Sequence, residues 1–249
     1  MSVTLGRLPN LRELIIPDEG KTIIDMDLDS ADLRVVVWEA EEQEMMAMLN
    51  EGKKIYVEAG REYYRDPTFS KHNPRYVLFK NIVHGTNYYG KSRGIAGQTG
   101  LLVQEVERVQ QWYLGKFPRI KTHWHQKIID TLSKTRSVRN AFGFRRFYFD
   151  RLEDCITEAM AWVPQSTVAL VINHALCNIC ENLPEVNVLL QVHDSLTMQT
   201  MTEDLASTIL KIRQQALIPV PYEKPLVIPV GFKTSPVSWG HCTEYKVAA

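Results

Sequence analysis

Hydrophobic and polar positions alternate over residues 24–29 of the segment KTIIDMDLD, residues 21–29, and this period of two predicts a β-strand. The alternation divides the strand into two sides, with Ile23, Asp25 and Asp27 on one and Ile24, Met26 and Leu28 on the other. After the strand the period becomes helical, and an apolar stripe runs through Leu33, Val36, Val37, Ala40, Ala47 and Met48. The pattern therefore predicts a strand that leads into one amphipathic helix, with carboxylates near their junction.

A second helix is predicted over residues 74–90, within HNPRYVLFKNIVHGTNYYGKS. Asn73 is a suitable N-cap, Pro74 fits the first helical position, and Gly90 stands where a C-terminal cap is expected. One line of side chains at steps of four combines basic, imidazole and aromatic groups: Tyr76, Lys80, His84 and Tyr88. A stripe that faces a core is apolar, so this one is a candidate binding surface.

The rest of the chain predicts helices and strands that do not alternate strictly. Residues 102–134 are predicted to be helical, 141–149 to form a turn into a strand, and 157–180 to form a mostly buried helix interrupted near Pro164. Residues 186–200 predict a β-hairpin with His193 and Asp194 at its tip. An amphipathic helix follows at 202–217, and 225–240 predicts a strand and an irregular tail. We therefore expect an α+β fold, an antiparallel sheet with helices packed on it.

Composition changes this picture little. The chain has 249 residues, 45% of them hydrophobic and 23% charged, which suits one large domain or two interlocked subdomains. No apolar run approaches the ~20 residues that span a bilayer, and the N-terminus lacks the apolar core of a signal peptide. We therefore expect an intracellular protein with no membrane partner.

Four cysteines fit a reducing compartment better than a disulfide scaffold: Cys155, Cys177, Cys180 and Cys242. His174, Cys177 and Cys180 have the spacing of metal ligands. They lie in an apolar stretch with helical periodicity, and no second cysteine pair completes a site. We therefore favour core helix packing over zinc binding.

The net charge is +0, from 29 basic and 29 acidic residues, which argues mildly against a nucleic-acid binder. The local distribution is more informative. Residues 39–44, EAEEQE, are acidic, whereas residues 134–151 gather arginines around aromatic side chains, namely Arg136, Arg139, Arg145, Arg146 and Arg151. A solvated charged face explains either run, and a segregated basic groove is the alternative for the second.

Asp27 and Asp194 are carboxylates at a strand end and at a hairpin tip, both in apolar surroundings. Either one alone is as well explained by a turn cap or an ion pair. If the two strands are neighbours, however, the charges repel each other, and a divalent cation with oxygen ligands relieves the repulsion. A pair of ions held in this way activates a hydroxyl nucleophile and stabilises an in-line phosphoryl displacement.

The stripe of the second helix supplies complementary chemistry. Lys80 is a compact cation that suits a triphosphate, and the faces of His84 and Tyr88 can stack on a base or a sugar. Two carboxylates for metals and a basic, aromatic helix for a nucleotide together predict a nucleotide-transferring site.

Three motifs in this order resemble those of family A DNA polymerases, the bacterial DNA polymerase I and bacteriophage replicative class. They are DLDSADLR, KNIVHGTNYYG and QVHDS. GRLPNLRELIIP near the start and PLVIPVGFKTSPVSWG near the end also resemble segments of this family, so the resemblance covers nearly the whole chain. It implies a template-directed DNA polymerase, a cytoplasmic location in a bacterium or a phage-infected cell, and primer-template DNA and deoxynucleoside triphosphates as partners.

The resemblance also implies roles at the metals and the nucleotide. Asp27 and Asp194 would hold two Mg²⁺ ions, or Mn²⁺ in their place, with the backbone carbonyl of Leu28 as a further ligand. Lys80 would bind the triphosphate, and His84 would lie beside the incoming sugar. The remaining nucleotide contacts are Asp32, which excludes a 2′-hydroxyl, and Tyr88, which lies near the templating base and touches Asp32.

For DNA, the resemblance implies that Arg7 and Gln165 read the minor groove of the new duplex, where base pairs share acceptors. His193 would lie near the primer terminus. Arg145 and Arg146, from the basic run, are our further candidates for DNA contact.

Some positions depart from the family pattern. The arginine expected four residues before Lys80 is replaced by Tyr76, with Arg75 beside it, and a triphosphate-binding histidine is replaced by Tyr56. Ala161 stands where an asparagine is expected. Asp32 is one methylene shorter than the family's glutamate, so we expect somewhat weaker discrimination against ribonucleotides. These changes suit a phage-like branch.

The resemblance assigns residues 1–38 to a first part of the palm, 39–144 to the fingers with the nucleotide-binding helix 74–90, and 145–249 to the second part of the palm. Family members carry a thumb, and usually an exonuclease, before these segments. We therefore expect a separate chain to supply a thumb, an exonuclease or both, as in a split polymerase. Two alternatives stay open: a single-subunit RNA polymerase or reverse transcriptase, and an inactive nucleic-acid-binding relic of the fold.

Overall fold

Strands and helices follow one another much as the periodicity predicts, in a computed structural model that describes residues 10–246. The described strands are β1 (Lys21–Leu28), β2 (Ser137–Arg139), β3 (Arg145–Phe147), β4 (Asn187–Val192), β5 (Ser195–Met201), β6 (Pro219–Val220), β7 (Leu226–Val227), β8 (Val230–Ser235) and β9 (Thr243–Tyr245). The described α-helices are α1 (Ala31–Ala40), α2 (Gln43–Asn50), α3 (Ile55–Tyr64), α4 (Tyr76–Asn87), α5 (Ser92–Thr99), α6 (Val103–Lys116), α7 (Gln126–Thr135), α8 (Leu152–Asn182) and α9 (Leu205–Ala216). Short 3₁₀-helices occur at Leu11–Leu14, Thr202–Asp204 and Trp239–His241, and a π-helical segment, Ile120–His125, precedes α7.

The described residues divide into two units, which we call the sheet unit and the helical unit. The sheet unit contains residues 10–30, 169–220 and 227–246, and the helical unit contains residues 31–168 and 221–226. The divisions at 30/31 and 168/169 differ from the predicted palm and fingers boundaries at 38/39 and 144/145. Those boundaries are functional assignments and stay predictions.

The sheet unit is built on a five-stranded antiparallel sheet in the order β4-β5-β1-β8-β9. Its central strand, β1, is hydrogen-bonded on both sides, and Ile23, Ile24 and Met26 are fully buried. α9 packs on β5 and β8 and buries Ile209 and Ile212. This sheet with its helices confirms the α+β class.

The helical unit has one continuous hydrophobic core, whose largest buried side chains are Trp124, Tyr113, Phe69, Phe79 and Phe117. α3 and the segment after it approach so closely that a Cβ on Gly60 would lie 2.2 Å from the ring of Phe69. Any larger residue at Gly60 would force this ring out of the core.

Two predicted helices differ from the structure. The predicted helix after β1 is broken into α1 and α2 at Glu41, whose φ of 50° is left-handed. The break rotates α2, so Met45 and Leu49 are buried while Ala47 is exposed. α8, in contrast, runs through Pro164 without interruption, and the Ser166 and Thr167 hydroxyls both donate to the Val163 carbonyl beside it.

The second half of α8 does not bury the histidine and cysteines that resemble metal ligands. Ile172, Ala175 and Ile179 are its buried positions, whereas His174, Cys177 and Cys180 are exposed. The helix is therefore packed as expected, but these three side chains lie on its outer face.

α8 is also long and apolar enough, by length and composition, to cross a membrane, with a mean hydropathy of 1.3 in its most apolar window. Half of that window is buried inside the protein. Core helices of soluble proteins have the same properties, so this feature is weak evidence for a membrane span.

Candidate functional site

One of the two predicted metal carboxylates lies on the central strand β1 of the sheet unit, and the other lies in the turn that leads into the neighbouring strand β5. Asp27 pairs with Ser195 across β1 and β5, and the backbone N–H of Leu28 donates to the carbonyl oxygen of Asp194 at 3.1 Å. The tight turn between β4 and β5 consists of His193 and Asp194, with His193 in the left-handed region at φ 54°. The sequence thus places one carboxylate at the end of a central strand and the other in the adjoining turn.

Electrostatics at this point favour a cation. Burial among the strands, followed by repulsion from Asp194, raises the pKa of Asp27 to about 6, although the Lys233 ammonium acts in the opposite direction. Asp25 and Asp29 add smaller repulsions that raise the pKa of Asp27 further. Asp27 therefore lies among several negative charges, which the Lys233 ammonium offsets only in part.

Asp25 is a third carboxylate on the same side of β1, which the sequence analysis did not assign to the site. It is 8% exposed and accepts a hydrogen bond of 3.2 Å from the Thr197 hydroxyl. Burial and the charge of Asp25 together raise the pKa of the Cys242 thiol to about 11. The period of two in KTIIDMDLD could have suggested that Asp25 lies near Asp27, because residues two apart share a strand face.

Among residues 10–246, no group of three or more histidine, cysteine, aspartate or glutamate side chains is arranged to hold a metal ion. Asp27 and Asp194 form a pair of carboxylates, and such a pair needs further oxygen ligands to fill the coordination of a divalent ion. The backbone carbonyl of Leu28 and the phosphates of a nucleotide substrate are ligands of the required kind.

In the helical unit, the end of α4 is joined to α1 by the predicted contact between Tyr88 and Asp32. The Tyr88 hydroxyl donates to an Asp32 carboxylate oxygen at 2.8 Å. Burial and the neighbouring Asp32 raise the pKa of Tyr88, so the phenol keeps its proton. The donor and acceptor are therefore fixed, and Asp32 is the charged partner.

His84 and Lys80 lie on the same stripe. The His84 ring meets the Tyr88 ring edge-on, with centroids 4.6 Å apart. Burial lowers the pKa of His84, with a smaller lowering from Lys80, and Asp32 opposes the change. His84 is consequently a neutral, half-buried ring at neutral pH, whereas Lys80 is exposed.

The boundaries of α4 differ slightly from the prediction. The helix begins at Tyr76 with Arg75 as its N-cap, while the Asn73 side chain accepts from the Arg75 N–H at 2.9 Å. Pro74 therefore lies in the turn before the helix and not at its first position, because the Asn73 side chain closes that turn first.

The C-terminus of α4 is closed by two residues after Tyr88. Tyr89 takes the left-handed conformation with φ 63°, and the Gly90 N–H donates to the Gly85 carbonyl at 2.8 Å. This is the arrangement of a Schellman cap, in which a left-handed residue lets the chain turn back on the last helical turn. Gly90 caps the helix as predicted, but the left-handed residue is Tyr89.

The two other predicted nucleotide contacts, Arg75 and Tyr56, each take part in a cation–π contact. Arg75 places its guanidinium over the Tyr64 ring, 5.3 Å from the centroid. Tyr56 is only 9% exposed, and the Lys80 ammonium lies 5.7 Å from its ring centroid. Burial raises the pKa of Tyr56. Tyr56 therefore supports Lys80 through its ring, and its hydroxyl points into a buried environment.

The predicted DNA contacts are mostly exposed. Gln165 lies on α8, Arg145 and Arg146 lie on β3, and His193 lies in the β4–β5 turn. Arg7 lies outside the described residues. Of the predicted site residues, the sheet unit holds Asp27, Leu28, His193 and Asp194, and the helical unit holds Asp32, Tyr56, Arg75, Lys80, His84, Tyr88, Arg145, Arg146 and Gln165.

The motifs near the two ends of the sequence meet within the sheet unit. The backbone N–H of Trp239 donates to the Ile15 carbonyl at 2.9 Å, and the Arg12 guanidinium lies over the Trp239 ring, 4.4 Å from its centroid. A Cβ on Gly240 would lie 2.6 Å from the Glu13 side chain, so this close approach requires glycine. Residues 12–15 and the tryptophan-glycine segment therefore pack against each other.

Comparisons with known proteins agree with these observations. Residues 4–235 match the family model for DNA polymerase family A. The chain is 24% identical over 232 residues to the thermostable DNA polymerase I of Thermus aquaticus, which covers 89% of this chain and 28% of the relative. A DNA polymerase of Mycobacterium phage D29 is 22% identical over 193 residues, covering 78% of this chain and 31% of that protein.

The fold is similar to that of a solved structure, the POL domain of Pol1 from M. smegmatis in complex with DNA primer-template and dNTP. The TM-score is 0.78 at 18% identity, and the match covers 92% of this chain and 42% of that chain. The present chain spans less than a third of the length of the two polymerase relatives named above. Because the family model matches nearly the whole sequence, the chain belongs to DNA polymerase family A.

Proposed function

We propose that this chain performs template-directed DNA synthesis, adding deoxynucleotides to the 3′ end of a primer. The observation that carries the proposal is the proximity of Asp27, on β1, to Asp194, in the turn before β5, whose charge contributes to the raised pKa of Asp27. Membership of DNA polymerase family A supports the reaction class, and the similar POL domain bound to primer-template and dNTP supports the choice of partners.

The donor set fits divalent metal ions of the Mg²⁺ type, with Mn²⁺ as a substitute. Asp27, Asp194 and the Leu28 carbonyl supply hard oxygen ligands, and the mutual repulsion of the carboxylates is a cost that a cation removes. A pKa of about 6 leaves Asp27 ionised at neutral pH, as a ligand must be. Two bound ions would activate the primer hydroxyl and stabilise charge on the transferred phosphoryl group.

The helical unit supplies the contacts for the nucleotide. Lys80 is exposed and charged, so its ammonium binds the triphosphate as a point charge. His84 is neutral and offers a ring face to the sugar. Asp32, held by the Tyr88 hydroxyl, occupies the position at which a 2′-hydroxyl is excluded. Each of these residues orients the substrate and leaves the chemical step to the site on the sheet unit.

DNA contacts in this proposal come from Arg7, which lies outside the described residues, and from side chains that are exposed in the described part of the chain. Gln165 and Arg7 read the minor groove, His193 lies near the primer terminus, and Arg145 and Arg146 contact phosphates. A thumb or exonuclease supplied by a separate chain stays a prediction, as does the cytoplasmic location.

Primer extension tests the proposal. In the presence of Mg²⁺, Asp27→Ala and Asp194→Ala are each expected to lower the rate by roughly 1000-fold or more, because each removes a metal ligand. Asp204→Ala, an exposed carboxylate of the same unit, serves as the control and is expected to extend at the wild-type rate. Unchanged extension by both site variants would show that the site is assigned wrongly.

The same assay distinguishes a DNA polymerase from an RNA polymerase and from a reverse transcriptase. Extension is measured on DNA and on RNA templates, with deoxynucleotides and with ribonucleotides. We expect a DNA template and deoxynucleotides to be preferred. A preference for ribonucleotides would indicate an RNA polymerase, and a preference for an RNA template a reverse transcriptase.

A further inference from the structure

The hairpin of β2 and β3 exposes three phenylalanine side chains to solvent. Phe144 is 59% exposed, Phe147 is 51% exposed and Phe149 is 92% exposed. Large aromatic side chains contribute most to stability when they are buried, so three exposed rings within six residues point to a binding surface. None of them belongs to the metal or nucleotide sites described above.

The same segment is strongly basic. Between residues 134 and 151 the acidic side chain is Asp150 alone, whereas the basic ones are Lys134, Arg136, Arg139, Arg145, Arg146 and Arg151. Arg146 pairs with Glu158, and Arg139 donates to the Gly143 carbonyl at 3.2 Å. Arg145 donates to the Ser137 hydroxyl at 2.9 Å. Bonds to backbone and hydroxyl groups orient Arg139 and Arg145 without neutralising them.

The register of the hairpin places two of the arginines and one of the phenylalanines on one face. Arg139 pairs with Arg145, and Ser137 pairs with Phe147, so the side chains of Arg139, Arg145 and Phe147 share a side of the hairpin. The Arg145 guanidinium lies over the Phe147 ring at 4.4 Å from the centroid. The guanidinium lies on one side of the Phe147 ring. The Phe147 side chain is partly exposed, which leaves room for a second partner to stack on the ring.

A groove runs beside this face. It has a volume of about 480 Å³, and its polar and charged lining side chains include Glu39 and Lys127, Thr131 and Thr135, and Ser137, Arg139 and Arg145. Lys127 is paired with Glu39 at 2.8 Å, so the uncompensated charge of the groove comes from the two arginines. Cations and hydroxyl groups along one side of a groove are suited to a chain of phosphates.

We propose that this hairpin face binds single-stranded DNA, with unpaired bases stacked on the exposed phenylalanines and backbone phosphates held by Arg139 and Arg145. Alternating aromatic rings and cations along a groove are the general solution for single strands, because every base has a face that can stack. A duplex offers phosphates only, since its bases already stack on each other. The positive charge favours a polyanion over an apolar protein partner. The choice of DNA rests on the proposed function.

Binding of fluorescent oligonucleotides, measured by anisotropy without metal or nucleotide, tests the proposal on the full chain. The probes are an oligo-dT, an abasic oligonucleotide of the same length, and a blunt duplex. Wild-type protein is expected to bind oligo-dT about tenfold or more tightly than the abasic strand, because stacking contributes to each base bound. Phe144→Ala/Phe147→Ala/Phe149→Ala is expected to remove this difference and to leave abasic and duplex binding unchanged.

Two further variants sharpen the test. Arg139→Ala/Arg145→Ala is expected to weaken oligo-dT and abasic binding equally and to reduce the salt dependence of both. Leu102→Ala changes another exposed apolar side chain, 70% exposed, and is expected to bind as wild type. The phenylalanines are exposed, so thermal melting of the triple variant is expected to match that of the wild type.

Equal binding of oligo-dT and abasic strands by the wild type would overturn the proposal, as would an unchanged preference in the triple variant. Self-association of the wild type that the triple variant abolishes, measured by sedimentation, would assign the rings to a protein interface and also overturn it. Primer extension is a separate measurement. A chain that prefers oligo-dT but never extends a primer contradicts the proposed function alone, and active extension without this preference contradicts the inference alone.

Discussion

The Tyr88 hydroxyl donates a hydrogen bond of 2.8 Å to Asp32, a residue 56 positions earlier in the chain. The bond ties the end of α4 to the first turn of α1, and the raised pKa of Tyr88 keeps the donor protonated. The carboxylate is thereby held in one orientation beside the His84 and Lys80 stripe. Under the proposed function, we expect its position and its length to decide which sugars the site accepts.

Sugar selection is therefore expected to depend on both residues. Asp32→Glu restores the longer side chain of the family pattern and is expected to increase the preference for deoxynucleotides over ribonucleotides. Tyr88→Phe leaves Asp32 without its donor and is expected to lower kcat/KM for deoxynucleotides roughly tenfold or more, since hydrogen bonds to charged groups contribute about 1.5–3 kcal/mol.

Single-nucleotide incorporation with matched deoxy- and ribonucleotides measures both effects. Tyr63→Phe removes the same atom from a tyrosine of α3 that belongs to no predicted site, and it serves as the control. A wild-type chain that already rejects ribonucleotides as strongly as its Asp32→Glu variant would contradict the importance of the shorter side chain.

The raised pKa of Asp27 predicts a pH-dependent cost to stability in the absence of metal. Its pKa is about 6 in the folded chain against 3.8 for the ordinary side chain, so the folded state holds the proton more tightly. Stability is expected to fall as pH rises from about 4 to 6, and the cost is complete above pH 6. A shift of this size corresponds to about 3 kcal/mol, which we reduce to about 1 kcal/mol because the side chain reaches solvent.

Asp27→Asn is accordingly expected to raise the free energy of unfolding by about 1 kcal/mol at pH 7.5 in a chelator, and to change it little at pH 4. Urea denaturation at the two pH values measures this. Added Mg²⁺ is expected to stabilise the wild type and not the variant, because only the wild type keeps the ligand. Equal stabilisation by the substitution at both pH values would contradict the electrostatic explanation.

Substitution by alanine is expected to have opposite effects on stability at Gly90, in the Schellman cap of α4, and at Gly97, in α5. A Cβ on Gly90 would lie 2.7 Å from the Gly85 carbonyl oxygen, whereas nothing lies within 4 Å of a Cβ on Gly97 in α5. Gly90→Ala is expected to destabilise the chain by about 1–3 kcal/mol, and Gly97→Ala to stabilise it by about 0.5–1 kcal/mol. Urea denaturation of the two variants compares them directly, and a stable Gly90→Ala variant would mean that the cap adjusts freely.

Periodicity was sufficient to predict the local elements of the site. The strand that carries Asp27, the turn that carries Asp194 and the helix that carries Lys80 each have a strong pattern with few competing interpretations. The motif resemblance added the contact between Tyr88 and Asp32, which joins residues too distant in sequence for any local rule.

Other features depend on tertiary packing and left no local signal. The left-handed residues Glu41 and Tyr89 are not glycines, so the break between α1 and α2 and the exact end of α4 were not predictable from residue type. Pro164 marked a break that the structure does not contain, because packing and nearby hydroxyl groups keep α8 continuous. Burial of Tyr56 likewise follows from the core of the helical unit, since its own sequence context is mixed.

A tyrosine can assist triphosphate binding through its hydroxyl or through its ring, and the contact between Lys80 and Tyr56 favours the ring. The Tyr56 hydroxyl is buried, and the Lys80 ammonium lies 5.7 Å from the ring centroid, so the ring and not the hydroxyl is the useful part. Tyr56→Phe is expected to leave KM for deoxynucleotides within about twofold, while Tyr56→Leu removes a cation–π contact of about 0.5–1 kcal/mol and raises KM about two- to fivefold. Lys80→Ala removes the charge itself and is expected to lower kcat/KM by about 100-fold or more, with Lys80→Arg intermediate because its planar group presents the charge differently. Steady-state incorporation kinetics rank the four variants, and a large rise in KM for Tyr56→Phe would instead assign the phenol to the triphosphate and require its hydroxyl to become exposed when nucleotide binds.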